Sequence, residues 1–88
     1  MMSMRLSEAA SVLDGQMSGS DVDFMGISTD TRTLSEGALF FALQGPNFDG
    51  HAYVETARER GAAAAAVSEP CNTLLPRITV NDTRLALG

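Results

Sequence analysis

Apolar and polar positions change in blocks along the chain, and the blocks predict an α/β order. Residues 4–6 read as a short strand that runs into a helix. Ser7 is the candidate N-cap, Glu8 sits in the first turn, and Ala9, Ala10, Val12 and Leu13 form the apolar face. Gly15 is the expected stop, and a turn is expected around Gly19. Val22, Phe24 and Ile27 alternate weakly, as in a strand entering a loop. The run "ALFFAL", residues 38–43, is apolar on both faces and predicts a central strand covered by helices.

After a loop at 44–50, residues 51–60 hold good helix formers and end at Gly61. Tyr53, Val54 and Ala57 make the expected inner stripe of that helix. The run 62–67, "AAAAAV", favours helix by propensity, but Gly61 has just closed one and "SEP" follows. It is read as a short buried strand whose small side chains let a helix pack closely. Residues 70–76 are then loop, 77–80 a further strand, and Asp82 the N-cap of a helix beginning "TRLALG". Strand, loop, helix and strand in this order predict a βαβ unit and a largely parallel sheet.

Composition narrows the chemistry. The chain has 88 residues and a net charge of −5, which argues against phosphate neutralisation on nucleic acid and against a polybasic membrane patch. All 6 cations are Arg, so a P-loop, which needs Lys, and Schiff-base chemistry are excluded. One cysteine, Cys71, allows neither an internal disulfide nor a multi-cysteine zinc site. No stretch has the length of a signal-peptide core or a membrane span, and the expectation is a cytoplasmic domain with no membrane insertion.

The candidate chemistry lies in two polar loops on either side of the "ALFFAL" strand. The first, "STDTR", offers the hydroxyls of Ser28, Thr29 and Thr31 with Asp30 and Arg32 among them. Arg32 either binds a phosphate or holds Asp30 while Asp30 caps backbone amides; both readings stand. In the second, "QGPNFDGH", Gly45 and Pro46 turn the chain, and Asn47 has the donor and acceptor that suit a pyrimidine edge. Phe48 either stacks on a base or folds back on the core. Asp49, Gly50 and His51 lead into a helix start, where backbone N–H groups favour an anion. His51 is the only histidine, which leaves it a bracing role rather than a catalytic triad. From the residues alone the expectation is a small α/β binding module for a flat polar ligand carrying phosphate.

Residues 26–69, "GISTDTRTLSEGALFFALQGPNFDGHAYVETARERGAAAAAVSE", together with "DTRLALG" at 82–88, resemble the N-terminal domain of the Mur ligases of bacterial peptidoglycan synthesis. The shared pattern is a "DTR" or "DSR" loop, "G-x-LF-x-AL-x-G", "DGH" and an "A…GA" joint. "STDTR", the Phe of "NFDGH" and "NDTRLALG" bring the chain nearest to the members that join D-alanyl-D-alanine to UDP-N-acetylmuramoyl-tripeptide. The resemblance implies a mixed, mostly parallel sheet flanked by helices, with residues 1–88 forming one UDP-binding domain of a larger ligase. It implies nucleotide contacts at Thr29, Thr31, Pro46, Asn47 and Phe48, supported by Ser28, Asp30, Arg32, Gly45, Asp49, Gly50 and His51. ATP and Mg2+ would serve the full-length enzyme, through a central domain that makes an acyl phosphate of the substrate carboxylate. This piece is expected to carry no cofactor, no metal and no catalytic residue, to be inactive alone, and to bind UDP compounds weakly. The alternatives are the sibling ligase that adds the third peptide residue and a non-catalytic module of the same fold.

Overall fold

The structure, a computed structural model, describes residues 3–45, 48–68, 73, 75–81 and 83, with residues 44, 45, 48 and 49 described by their backbone alone. Its centre is a five-stranded sheet. The strands are β2 (Gln16–Ser18), β4 (Ile27–Ser28), β5 (Leu39–Phe41), β8 (Ala64–Val67) and β9 (Arg77–Thr79), in the spatial order β2-β9-β8-β5-β4. All neighbours run parallel except β2, which pairs antiparallel with β9 at one edge. Two ribbons stand apart from it: β1 (Met4–Arg5) with β3 (Asp23–Phe24), and β6 (Gln44–Gly45) with β7 (Phe48–Asp49). The mixed, mostly parallel sheet expected from the sequence is therefore present.

Alternation along β5 and β8 divides the core between the two faces of the sheet. Leu39, Phe41, Ala64, Ala66 and Ile78 face α1 (Leu6–Leu13), packing with Leu6, Ala9 and Ala10. Phe40, Ala42, Ala65 and Val67 face α2 (Val54–Glu59), packing with Val54 and Ala57. Every residue of β5 and β8 is at most 2% exposed, as the absence of polar residues in those runs requires. The three alanines of β8 have no side chain beyond Cβ, so both layers lie close against the sheet.

Several expectations are corrected by tertiary contacts. Ser7 is not the N-cap of α1, because the helix begins at Leu6 with Arg5 as its cap residue. Asp21 caps that end from the following loop, accepting from the Ser7 backbone N–H at 3.0 Å and from its hydroxyl at 2.8 Å. The helix ends at Asp14, which takes the left-handed conformation at φ 56°, and not at Gly15. Gly15 serves close approach instead: a Cβ there would stand 2.5 Å from Cγ2 of Ile78 and 2.9 Å from the Thr79 carbonyl oxygen. This contact lets residues 16–18 turn at once into β2, a strand whose "QMS" sequence gives no β signal.

The segment 51–60 is a 3₁₀ turn, Gly50–Tyr53, followed by the six-residue α2. Tyr53 leaves the inner stripe expected of it and is 43% exposed. The expected loop at 44–50 contains the β6–β7 ribbon. The helix expected to start at Asp82 lies outside the described residues except for Thr83, which is helical and 2% exposed.

Candidate functional site

Strands β4 and β5 are parallel neighbours, so the loops that leave their C-terminal ends emerge side by side. Between them lies a cavity of about 570 Å³. Thr29, Asp30, Thr31 and Arg32 line one side of it, and Phe40, Leu43 and Tyr53 form the apolar remainder. The first loop is therefore part of the cavity wall.

That loop is braced from within. The Ser28 hydroxyl donates to the Asp30 carbonyl at 2.9 Å and accepts from the Asp30 backbone N–H at 3.3 Å. Asp30 in turn accepts the Arg32 backbone N–H at 2.8 Å. The Arg32 guanidinium clasps the same carboxylate, through Nη2 at 2.8 Å and through Nε at 3.1 Å from each oxygen. These bonds from Arg32, first the guanidinium and then the backbone N–H, hold the Asp30 pKa down at about 2. Of the two readings of Asp30, the capping one is what the geometry contains. Arg32 keeps 84% of its side chain exposed, so its cationic face remains open to solvent at the cavity mouth.

Thr31 differs from its neighbours. It is 8% exposed, lines the cavity, and its hydroxyl has no hydrogen-bond partner among the described residues. The residue is nearly buried as a whole, but its hydroxyl oxygen is not among the buried unpaired atoms, so it is accessible at the cavity wall to a ligand's donor or acceptor. Ser28 and Thr29 also border an adjoining cleft of about 310 Å³ along the outer edge of β4.

The second loop is described in part. Pro46 and Asn47 lie outside the described residues, and Phe48, Asp49 and Gly45 are placed only as members of the β6–β7 ribbon. Gly50, which follows that ribbon, is buried, and its N–H donates to the Leu43 carbonyl at 2.6 Å. The helix start imagined as an anion site is the 3₁₀ turn itself. His51 braces the scaffold: its Nε2 accepts the Ser68 backbone N–H at 3.0 Å. Sequence reasoning missed Phe40, Leu43 and Tyr53 as cavity walls. Period-two alternation along β5 carried the signal for Phe40, while for Tyr53 the regular helix assumed at 51–60 hid it.

The sequence model described as "Mur ligase family, catalytic domain" matches residues 23–88, three quarters of the chain. The chain belongs to the Mur ligase family. Among Mur ligases, the UDP-N-acetylmuramoyl-tripeptide–D-alanyl-D-alanine ligase of Escherichia coli K12 is 43% identical over 88 residues, which is 100% of this chain and 20% of that one. The UDP-N-acetylmuramoyl-L-alanyl-D-glutamate–2,6-diaminopimelate ligase of Aquifex aeolicus is 46% identical over 63 residues, or 72% of this chain and 13% of that one. The crystal structure of MurF from Acinetobacter baumannii superimposes with a TM-score of 0.87 at 28% identity, over 99% of this chain and 20% of that one. The chain thus spans about a fifth of the length of these Mur ligases at most, and the fold is that of the matching part of MurF.

Proposed function

We propose that residues 1–88 are the domain that holds the UDP moiety of UDP-N-acetylmuramoyl-tripeptide in an ATP-dependent ligase that adds D-alanyl-D-alanine during peptidoglycan synthesis. The observation that carries this reading is Thr31, whose hydroxyl has no partner among the described residues and which lines a cavity walled by Phe40, Leu43 and Tyr53. A planar pyrimidine fits such a site: its faces suit the apolar walls and its edge suits the hydroxyl. Arg32 at the mouth offers a fixed cation on the diphosphate side. Thr29 and Thr31 are assigned to direct contact, and the family resemblance assigns further nucleotide contacts to Pro46, Asn47 and Phe48. Ser28, Asp30, Gly45, Asp49, Gly50 and His51 hold the loops. The net charge of −5 opposes a diphosphate, so binding by this part alone is weak.

The residues present do not fit ATP with Mg2+. The sequence has no P-loop and no Lys, and among the described residues no three or more His, Cys, Asp or Glu side chains group as metal ligands. On this reading ATP, Mg2+ and D-alanyl-D-alanine are handled by the rest of the ligase, and the 88-residue chain forms no peptide bond by itself. Among the described residues no helix is long and apolar enough to cross a membrane. A nucleotide-activated substrate puts the protein in the cytoplasm.

Calorimetric titration with UDP, uridine and inorganic diphosphate tests the assignment. UDP is expected to bind, uridine more weakly and diphosphate weakest. Equal binding of diphosphate and UDP would refute a site organised around the base. The likeness to the diaminopimelate-adding ligase favours one second reading, the same UDP-holding role in that sibling. Activity of the full-length enzyme with D-alanyl-D-alanine against diaminopimelate separates the two.

A further inference from the structure

The ladder between β5 and β8 stops one half-rung early. The last registered pair is Phe41 with Ala66, and the Ala42 N–H still donates to the Ala66 carbonyl at 2.9 Å. In a parallel ladder the next bond would run from the Ser68 N–H to the Ala42 carbonyl. Neither group makes it. The Ser68 N–H goes to Nε2 of His51 at 3.0 Å, and the Ala42 carbonyl accepts the hydroxyl of Thr83 at 2.9 Å. Both halves of the missing rung are thus capped by side chains, and Thr83 is 2% exposed. Buried backbone groups need partners, so the caps are what permit the strands to part at this point.

We propose that Thr83 and His51 are positioning residues for the nucleotide cavity, holding β5 and β8 apart at their C-terminal ends so that Leu43 turns onto the cavity. The connection is short. Ala42 leads directly to Leu43, a cavity wall whose carbonyl takes the Gly50 N–H at 2.6 Å. The backbone of Gly50 packs onto the same point, since a Cβ there would stand 2.9 Å from the Ala42 carbonyl carbon. Without the Thr83 hydroxyl, the Ala42 carbonyl is left to recapture the Ser68 N–H. The sheet then zips up by one bond, and Leu43 is drawn away from the cavity. This inference rests on the nucleotide reading above.

The test compares Thr83→Val, which keeps the shape and loses the donor, with Thr83→Ser, which keeps the donor. UDP affinity is read by calorimetry, and backbone exchange at Leu43, Gly50 and Ser68 by hydrogen–deuterium exchange without ligand. Thr83→Val is expected to weaken UDP binding by about three- to tenfold and to speed exchange at Leu43 and Gly50, as loss of one buried hydrogen bond implies. Thr83→Ser is expected to match the parent in both. Should Thr83→Val fail to fold, His51→Gln, which retains an acceptor, and His51→Leu, which does not, test the other half of the brace in the same way. Unchanged UDP affinity in Thr83→Val, or in His51→Leu, overturns the proposal. If the parent itself does not bind UDP, the nucleotide reading fails separately. Exchange then decides the brace: restoration by Ser supports it, and no change in Val refutes it.

Discussion

Replacing Gly50 with alanine puts one methyl group where the structure has no room for it. The added Cβ would meet three backbone atoms: Leu43 N at 2.7 Å, Leu43 O at 2.8 Å and the Ala42 carbonyl carbon at 2.9 Å. Ordinary carbon contacts lie near 3.5–4.0 Å, so the two segments must separate by roughly half an ångström or more. Neither is a flexible side-chain end that can swing aside. The separation also stretches the 2.6 Å bond from the Gly50 N–H to the Leu43 carbonyl. Overpacking of this kind costs about 1–3 kcal/mol. For a domain of this size each kcal/mol lowers the midpoint by about 4–8 °C. Gly50→Ala is therefore expected to unfold roughly 5–20 °C below the parent, followed by circular dichroism. Because Leu43 is a cavity wall, UDP affinity measured well below the transition should fall as well. A midpoint within about 2 °C of the parent would refute the reasoning, since it would mean that the 3₁₀ turn does not rest on the end of β5.

Thr31→Val is expected to lower UDP affinity by about three- to tenfold at unchanged melting temperature, because the hydroxyl it removes serves no described partner; an unchanged affinity removes Thr31 from the site. The Asp30 carboxyl, held down from 3.8 to about 2, stabilises the fold above its ordinary pKa, and that contribution is lost as pH falls through about 2. A carboxyl-carbon NMR titration should place the Asp30 midpoint near 2, and Arg32→Ala should move it back up toward 3.8. Phe41→Ala, which empties a 2% exposed site in the α1-side core, is expected to cost about 3–5 kcal/mol by denaturant unfolding.

The sequence made legible whatever depends on local pattern. The two-faced run at 38–43 reads as a central strand, and the alanine run at 62–67, helical by propensity, reads as one only because Gly61 has just closed a helix; both contain buried strands. Whatever depends on distant contacts was not legible. The cap on α1 comes from Asp21, 14 residues beyond Ser7. Strand β2 owes its place to its pairing with Arg77–Thr79 and not to its own residues. The same division runs through the site. "STDTR" announces a hydroxyl-rich loop and leaves Asp30 two roles; the backbone bond from Arg32 that caps it is visible only in the structure. Thr83 meets Ala42 across 41 residues, a separation that no periodicity encodes.

Strand β8 has a consequence for how this protein can vary. Ala64, Ala65 and Ala66 are its plainest residues, chemically silent and repeated, yet all three are 0% exposed between two helical layers. A larger side chain would push one layer off the sheet, and glycine would loosen the backbone on which both layers rest. The stretch with the least apparent information is thus one that leaves little room for any other side chain.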